Sequence, residues 1–222
     1  MSTSSDHSND DAQANVPKAV VSRLSLYLRE LQHLIRDGRD TTSSTQLGSM
    51  LGLTDAQVRK DLAYFGQFGY PGVGYRCDEL VGEIKKILGT DQQWHVLLVG
   101  VGNLGRALLG YKGFGQQGFR IMAAFDTDRS KTGKVFEGVR VYHLDDLPKI
   151  AEEQNIRLAM IAVPSEAVQP VVDRVVDAGI GGIMNFAPVT ISVPEGVCKV
   201  GVDLAIELEQ LSYAVVKSGE KV

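Results

Sequence analysis

The stretch that most limits what this chain can become is "WHVLLVGVGNLGRALLG", residues 94–110. An apolar run leads straight into Gly100, Gly102 and Gly105, and an apolar-periodic segment comes after them. That order predicts a buried strand, a tight turn and a helix packed back on its own sheet. Each glycine has its own reason: Gly100 for the sharp turn, Gly102 for close approach of the backbone to a pyrophosphate, Gly105 for close helix–sheet packing. Backbone groups of Val101, Asn103 and Leu104 then surround the phosphates at the helix start. The spacing alone also suits an ordinary turn, so the residues downstream must decide between the two.

Downstream lies "FRIMAAFDTD", read as a second strand ending at Asp126, 21 residues beyond Gly105. A carboxylate there can accept hydrogen bonds from both hydroxyls of an adenine ribose and disfavours a 2′-phosphate, which selects NADH and NAD⁺ over their phosphorylated forms. Asp128 competes for the same role. "VRVYHL", "LAMIAVP" and "IGGIMNFAP" read as further strands, and "SEAVQPVVDRVVDAG" as a helix with Pro170 in its first turns. Alternation of this kind predicts an α/β Rossmann-like, doubly wound parallel sheet. Ligands lie beyond the carboxyl ends of such strands, which puts Val163, Pro164, Asn185, Phe186 and Ala187 near a nicotinamide.

A chain of 222 residues is long enough for two modest domains. Past Pro17, the residues Val20, Val21, Leu24, Leu28, Leu31 and Ile35 recur at helical spacing up to Gly38. In "TTSSTQLGSMLGLTDAQVRKDLAYFG", Ser43 with Gln46 and Thr54 with Gln57 match the box that caps a helix start, and Gly52 separates the two. Two short helices behind a longer one outline a helix-turn-helix. In the second, Val58, Leu62 and Phe65 share a core face, leaving Gln57, Arg59, Lys60 and Tyr64 on other faces, where a duplex could be read. Arg59 and Lys60 also suit plain solvated charges beside Asp61. The glycines and aromatics of "GQFGYPGVGYR" predict a hairpin, hence a wing, and Leu80, Ile84, Ile87 and Leu88 a helix ending at Gly89.

The whole chain carries a net charge of −4, which excludes a general attraction to nucleic acid and leaves only a local patch. Residues 16–88 hold ten Lys and Arg against eight Asp and Glu, so affinity there must come from concentrated contacts and two copies acting together. Cys77 and Cys198 make no disulfide framework, no run reaches membrane-spanning length, and the polar start lacks the regions of a signal peptide. These features predict a cytoplasmic protein. The expected organisation is a disordered tail (1–16), a winged helix-turn-helix domain (17–89), a dinucleotide-binding domain (90–201) and a terminal helix (202–222).

That last helix, "VDLAIELEQLSYAVVK", is apolar on more faces than one core can cover, which predicts a homodimer with exchanged helices; a fully buried helix within the chain is the alternative. None of His7, His33, His95 and His143 is convincingly placed as an acid–base residue, no metal-ligand cluster is present, and no Ser-x-x-x-Lys or Tyr-x-x-x-Lys pair follows a strand in a suitable place. The chain therefore reads as a sensor of a redox cofactor, not as an enzyme.

"SRLSLYLREL", "TSSTQLGSMLGLTDAQVRKDLAYFG", "GVGY", "LVGVGNLGRAL", "YKGFG", "FDTD", "GIMNFAPV" and "VDLAIELEQLSYAV" together resemble the Rex family of redox-sensing transcriptional repressors, in order from about residue 17 to 217. The resemblance implies a homodimer that binds palindromic operator DNA when NADH is scarce and leaves it when NADH accumulates, NAD⁺ competing without causing release. It matches Arg59 and Lys60 to the recognition-helix residues, and Ser44, Gln57, Tyr64 and Tyr75 are the further candidate DNA contacts. It places Gly100, Gly102, Gly105 and Asp126 at the dinucleotide and Tyr111 beside the nicotinamide. Arg29, Tyr111 and Asp203 match the residues that switch between states. Tyr70 and Pro71 stand where many relatives carry a basic residue in the wing, so minor-groove contact there is less secure, with Arg76 a substitute beyond the turn. Two other classes stay open: an NAD-dependent oxidoreductase with an added oligomerisation domain, and a CoA-binding module, although Asp126 suits a ribose diol better than the phosphorylated ribose of CoA.

Overall fold

The computed structural model describes residues 16–219, and the polar tail expected over 1–16 lies, except for Val16, outside them. The chain divides after Gln92 into two compact units.

The first unit contains α1 (Lys18–Arg36), β1 (Thr41–Thr42), α2 (Ser44–Leu51), α3 (Asp55–Ala63), β2 (Tyr75–Arg76) and α4 (Cys77–Leu88). Both short helices start as the sequence predicts: Ser43 Oγ accepts from Gln46 N and Thr54 Oγ1 from Gln57 N, each at 3.1 Å. The reciprocal half of each capping box is missing, because Gln46 instead accepts from Thr42 Oγ1 and Gln57 turns to Asp61. Leu24, Tyr27, Leu31, Leu47, Val58, Leu62, Cys77 and Ile84 fill one core, enough apolar surface to fix three helices against α4.

The expected wing is reduced to a tight turn closed by a Tyr70–Gly74 bridge. The residues after it, Tyr75 and Arg76, pair antiparallel with Thr42 and Thr41, a strand the sequence reading missed. Two-residue strands carry too little alternation to be read from sequence.

The second unit contains β3 (Trp94–Val99), α5 (Asn103–Leu109), α6 (Gly113–Gln116), β4 (Phe119–Asp126), β5 (Val135–Phe136), β6 (Val139–His143), α7 (Leu147–Glu153), β7 (Leu158–Ile161), α8 (Val168–Asp177), β8 (Gly182–Asn185), β9 (Cys198–Gly201) and α9 (Leu204–Lys217). The sheet order is β5-β6-β4-β3-β7-β8-β9, parallel except for β5. Chain order reverses beside β3, so the glycine turn after β3 opens at the crevice where such sheets take ligands. Apolar layers line the sheet on both faces, one around Leu97, Phe125, Ile161 and Val172, the other around Val96, Leu98, Val101 and Met160. Of α9, by contrast, no residue is buried.

Candidate functional site

The glycine turn is built as its three residues require. Gly100 has φ +98°, and a Cβ there would strike the Ala162 carbonyl of the neighbouring strand end and come within 2.9 Å of Val163 Cγ1. A Cβ on Gly105 would strike the Gly100 carbonyl, so α5 packs on the turn at a distance only glycine allows. Gly102 differs: a Cβ there would meet nothing within 4 Å. Its lack of a side chain answers no contact inside the chain. It leaves the backbone open to an outside group at the start of α5, where N–H groups favour an anion.

Asp126 closes the other side. Its Oδ2 accepts from Val101 N at 2.9 Å and Lys131 Nζ at 2.8 Å, and its Oδ1 from Asp128 N at 2.9 Å. Burial pushes its pKa up, but these donors outweigh burial and hold the carboxyl below the usual aspartate value. An ionised carboxylate offers about four lone-pair sites. Three are engaged here and one is left open, beside the Lys131 ammonium. Sequence reading missed Lys131; the signal was its place five residues beyond Asp126 across the turn "DTDRSK". Asp128, the competing acid, is half exposed and caps Ser130 N.

Val101 needs a correction. Its side chain is fully buried and its N–H already belongs to Asp126, so neither can contact a cofactor. Asn103 and Leu104 are exposed at the start of α5. Tyr111 is 60% exposed and stacks edge-on against Phe114 at 4.9 Å. Val163 and Phe186 are half-buried and Pro164 exposed, all following β7 or β8. The Asn185 amide is buried and consumed by its own loop, donating to the Ala187 and Val189 carbonyls while accepting from Ala187 N. It shapes this edge and has little left to offer a ligand. Asp203 caps α9 through Ala205 N, and Arg29 on α1 reaches Glu30.

In the first unit, α3 carries Arg59, Lys60 and Tyr64 outward. Arg59 Nη1 donates to Asp55 Oδ2 at 2.7 Å and Ser44 Oγ at 3.1 Å, so the guanidinium is held in place across both short helices. Tyr75 also needs a correction: its ring is 8% exposed and packs into the core, because β2 turns that face inward where it pairs with Thr42. Gln57 is half-buried, and its amide is bonded to Asp61.

Asp61 is the larger surprise. It follows directly on the exposed Arg59 and Lys60, yet it is 0% exposed. It accepts from Arg23 Nε at 2.5 Å, Arg23 Nη2 at 2.8 Å, Tyr27 Oη at 2.7 Å and Gln57 Nε2 at 2.7 Å. Burial pushes its pKa up, yet the Arg23, Tyr27 and Gln57 bonds outweigh burial and hold it below the usual range.

Both units have counterparts among known proteins. The family described as "Putative DNA-binding protein N-terminus" matches residues 15–63, and the one described as "CoA binding domain" matches residues 91–189. A protein of Carboxydothermus hydrogenoformans named "Redox-sensing transcriptional repressor Rex" is 46% identical, over 90% of this chain and 96% of its own. One of the same name from Streptomyces coelicolor is 43% identical, over 96% of this chain and 83% of its own. Among solved structures, RSP in complex with β-NAD⁺ and operator DNA superposes with a TM-score of 0.87 at 33% identity, covering 93% of this chain and 95% of that one. RSP in complex with β-NADH gives 0.84 at 31% identity, covering 93% and 97%.

Proposed function

Because the chain belongs to the Rex family of redox-sensing transcriptional repressors, we propose that it represses from a palindromic operator as a homodimer and leaves it when NADH is bound. The observation that carries this reading is a pair of prepared surfaces in two separate units. Gly102 stands open beside Asp126 in one, and an exposed, tethered Arg59 stands on a short helix in the other. Such a chain works where DNA is, in the cytoplasm.

Each surface has its task. Arg59 is suited to bidentate contact with guanine, and Lys60 with Ser44 and Tyr64 to the phosphates beside it. Gly102, with Asn103 and Leu104, would hold the pyrophosphate on the turn that Gly100 and Gly105 shape, and Asp126 with Lys131 the adenine ribose. The coenzyme supplies a signal in its charge, because the oxidised nicotinamide ring is cationic and the reduced ring neutral. Tyr111, Val163, Pro164 and Phe186 would supply the apolar surroundings of the nicotinamide, where a neutral ring is desolvated more cheaply than a cationic one. Closure around the neutral ring would move the dimer from one geometry to another, with Arg29 and Asp203 exchanging partners. Two α3 helices must meet successive major grooves roughly 34–36 Å apart, and closure would spoil that match.

The dimer itself follows from α9. Leu204, Leu208, Leu211, Tyr213 and Val216 are each at least 60% exposed, apolar surface on more than one face of the helix and too much to be left in water. A second copy of the chain would cover it, by exchanged helices. Light scattering of Leu208→Asp tests this: monomers are expected, and a variant as dimeric as the wild type would refute it.

CoA is the second reading, favoured by the family match over 91–189. Asp126 opposes it, because a carboxylate beside the ribose repels the 3′-phosphate of CoA. Calorimetric titration with NADH and with CoA separates the two readings; tighter CoA binding would reverse the assignment.

A further inference from the structure

The network around Asp61 does more than tie two helices together. Four donors converge on one buried carboxylate: two nitrogens of Arg23 and the hydroxyl of Tyr27 from α1, and the amide of Gln57 from the first turn of α3. Burial of a charge is no route to stability by itself, since apolar residues of the same volume commonly do as well. Its use is to fix one arrangement. An ionised carboxylate only accepts, so the end of the Gln57 amide that faces it has to be the NH₂ group. The carbonyl oxygen is the end left over.

Gln57 lies in the N-terminal turn of α3, the part of a reading helix that reaches base edges. A free glutamine reads adenine with both ends of its amide. An anchored one has an amide hydrogen held by Asp61 and keeps its carbonyl oxygen free to accept.

We infer that Asp61 is a positioning residue that fixes the polarity of Gln57, turning its carbonyl oxygen outward to accept from an exocyclic amino group on one base of each operator half-site. This rests on the operator reading of the chain. In the major groove only adenine N6 and cytosine N4 offer such a donor; guanine and thymine present acceptors there. Selectivity at that position follows from which amide end the protein presents, and Asp61, which touches no base, decides it.

The test uses the full chain and a palindromic duplex selected by the wild type from a randomised pool. Single bases are then replaced by analogues lacking the amino group, purine for adenine and 2-pyrimidinone for cytosine, and affinity is read by fluorescence anisotropy. The wild type is expected to lose about fivefold at one position per half-site. Gln57→Met should erase that sensitivity while keeping the salt dependence, since no charge is removed. Asp61→Asn lets the amide reverse, because asparagine both donates and accepts, and should abolish or move the sensitive position. If Asp61→Asn does not fold, Gln57→Met decides. An analogue profile for Gln57→Met, or for folded Asp61→Asn, that matches the wild type would overturn the assignment. A wild type that selects no duplex would overturn the operator reading itself, and this inference with it.

Discussion

Each unit buries one aspartate in a hydrogen-bonded setting, and the two are built differently. Asp61 in the helical unit is fully enclosed, with four contacts to its two oxygens. Asp126 in the sheet unit is 9% exposed with three, one of them from a lysine whose side chain is itself 23% exposed. A saturated carboxylate holds its neighbours still. One with an acceptor site to spare, at the mouth of a glycine turn, is prepared for something that arrives. The contrast separates a group that positions a binding surface from a group that belongs to one.

The largest break should come from Asp61→Ala, which leaves Arg23 and Tyr27 facing a void. Loss of one partner from a buried pair costs roughly 3–5 kcal/mol, so the urea midpoint of the helical unit should fall sharply while the sheet unit keeps its own. Next in size, Arg59→Ala should weaken operator binding by about a hundredfold, two guanine contacts being lost per dimer, with NADH affinity unchanged by fluorescence titration. Loss of both together would erase the division between the units. Third, Gly102→Ala should fold normally and bind NADH about tenfold more weakly, since a methyl group there meets no protein atom but stands where a phosphate must come. Gly105→Ala would instead strike the Gly100 carbonyl and destabilise the sheet unit, visible as a lowered melting temperature of that unit.

Acid sharpens the same comparison. Both carboxyls are held below 3.8, the value of a free aspartate, so the unfolded chain takes up the proton first. The stability they supply is present in full above that pH and is lost as pH falls through 3.8 towards the lower folded values. Urea titrations at pH 6 and pH 3.5 should show both units weakened in acid, with Lys131→Met reducing the effect in the sheet unit alone. The smallest expected effect is Thr54→Ala, about 1 kcal/mol from one helix cap, read as a shift in the same midpoint.

The glycine turn, the strand before it, the capped helix pair and the apolar terminal helix were all legible in the sequence, because each is set by local spacing. Asp61 was not. Its neighbours Arg59 and Lys60 are exposed, and the partners that explain its burial lie 34 and 38 residues away on α1. Lys131 escaped for a similar reason, as its meaning depends on where a turn folds it. Tyr75 was misjudged because β1 and β2 are two residues each, too short for alternation to show which way a ring points. Strand β5, also two residues, was missed on the same ground, and β9 because its four edge residues, Cys198–Gly201, are all exposed and carry no apolar run.

In the proposed switch, cofactor and DNA compete through the protein's shape. Anisotropy of a labelled palindromic duplex, titrated with NADH and separately with NAD⁺, measures this directly. Release by NADH and retention with NAD⁺ is the predicted result. Operator affinity indifferent to NADH, in a chain shown to bind it, would contradict the account.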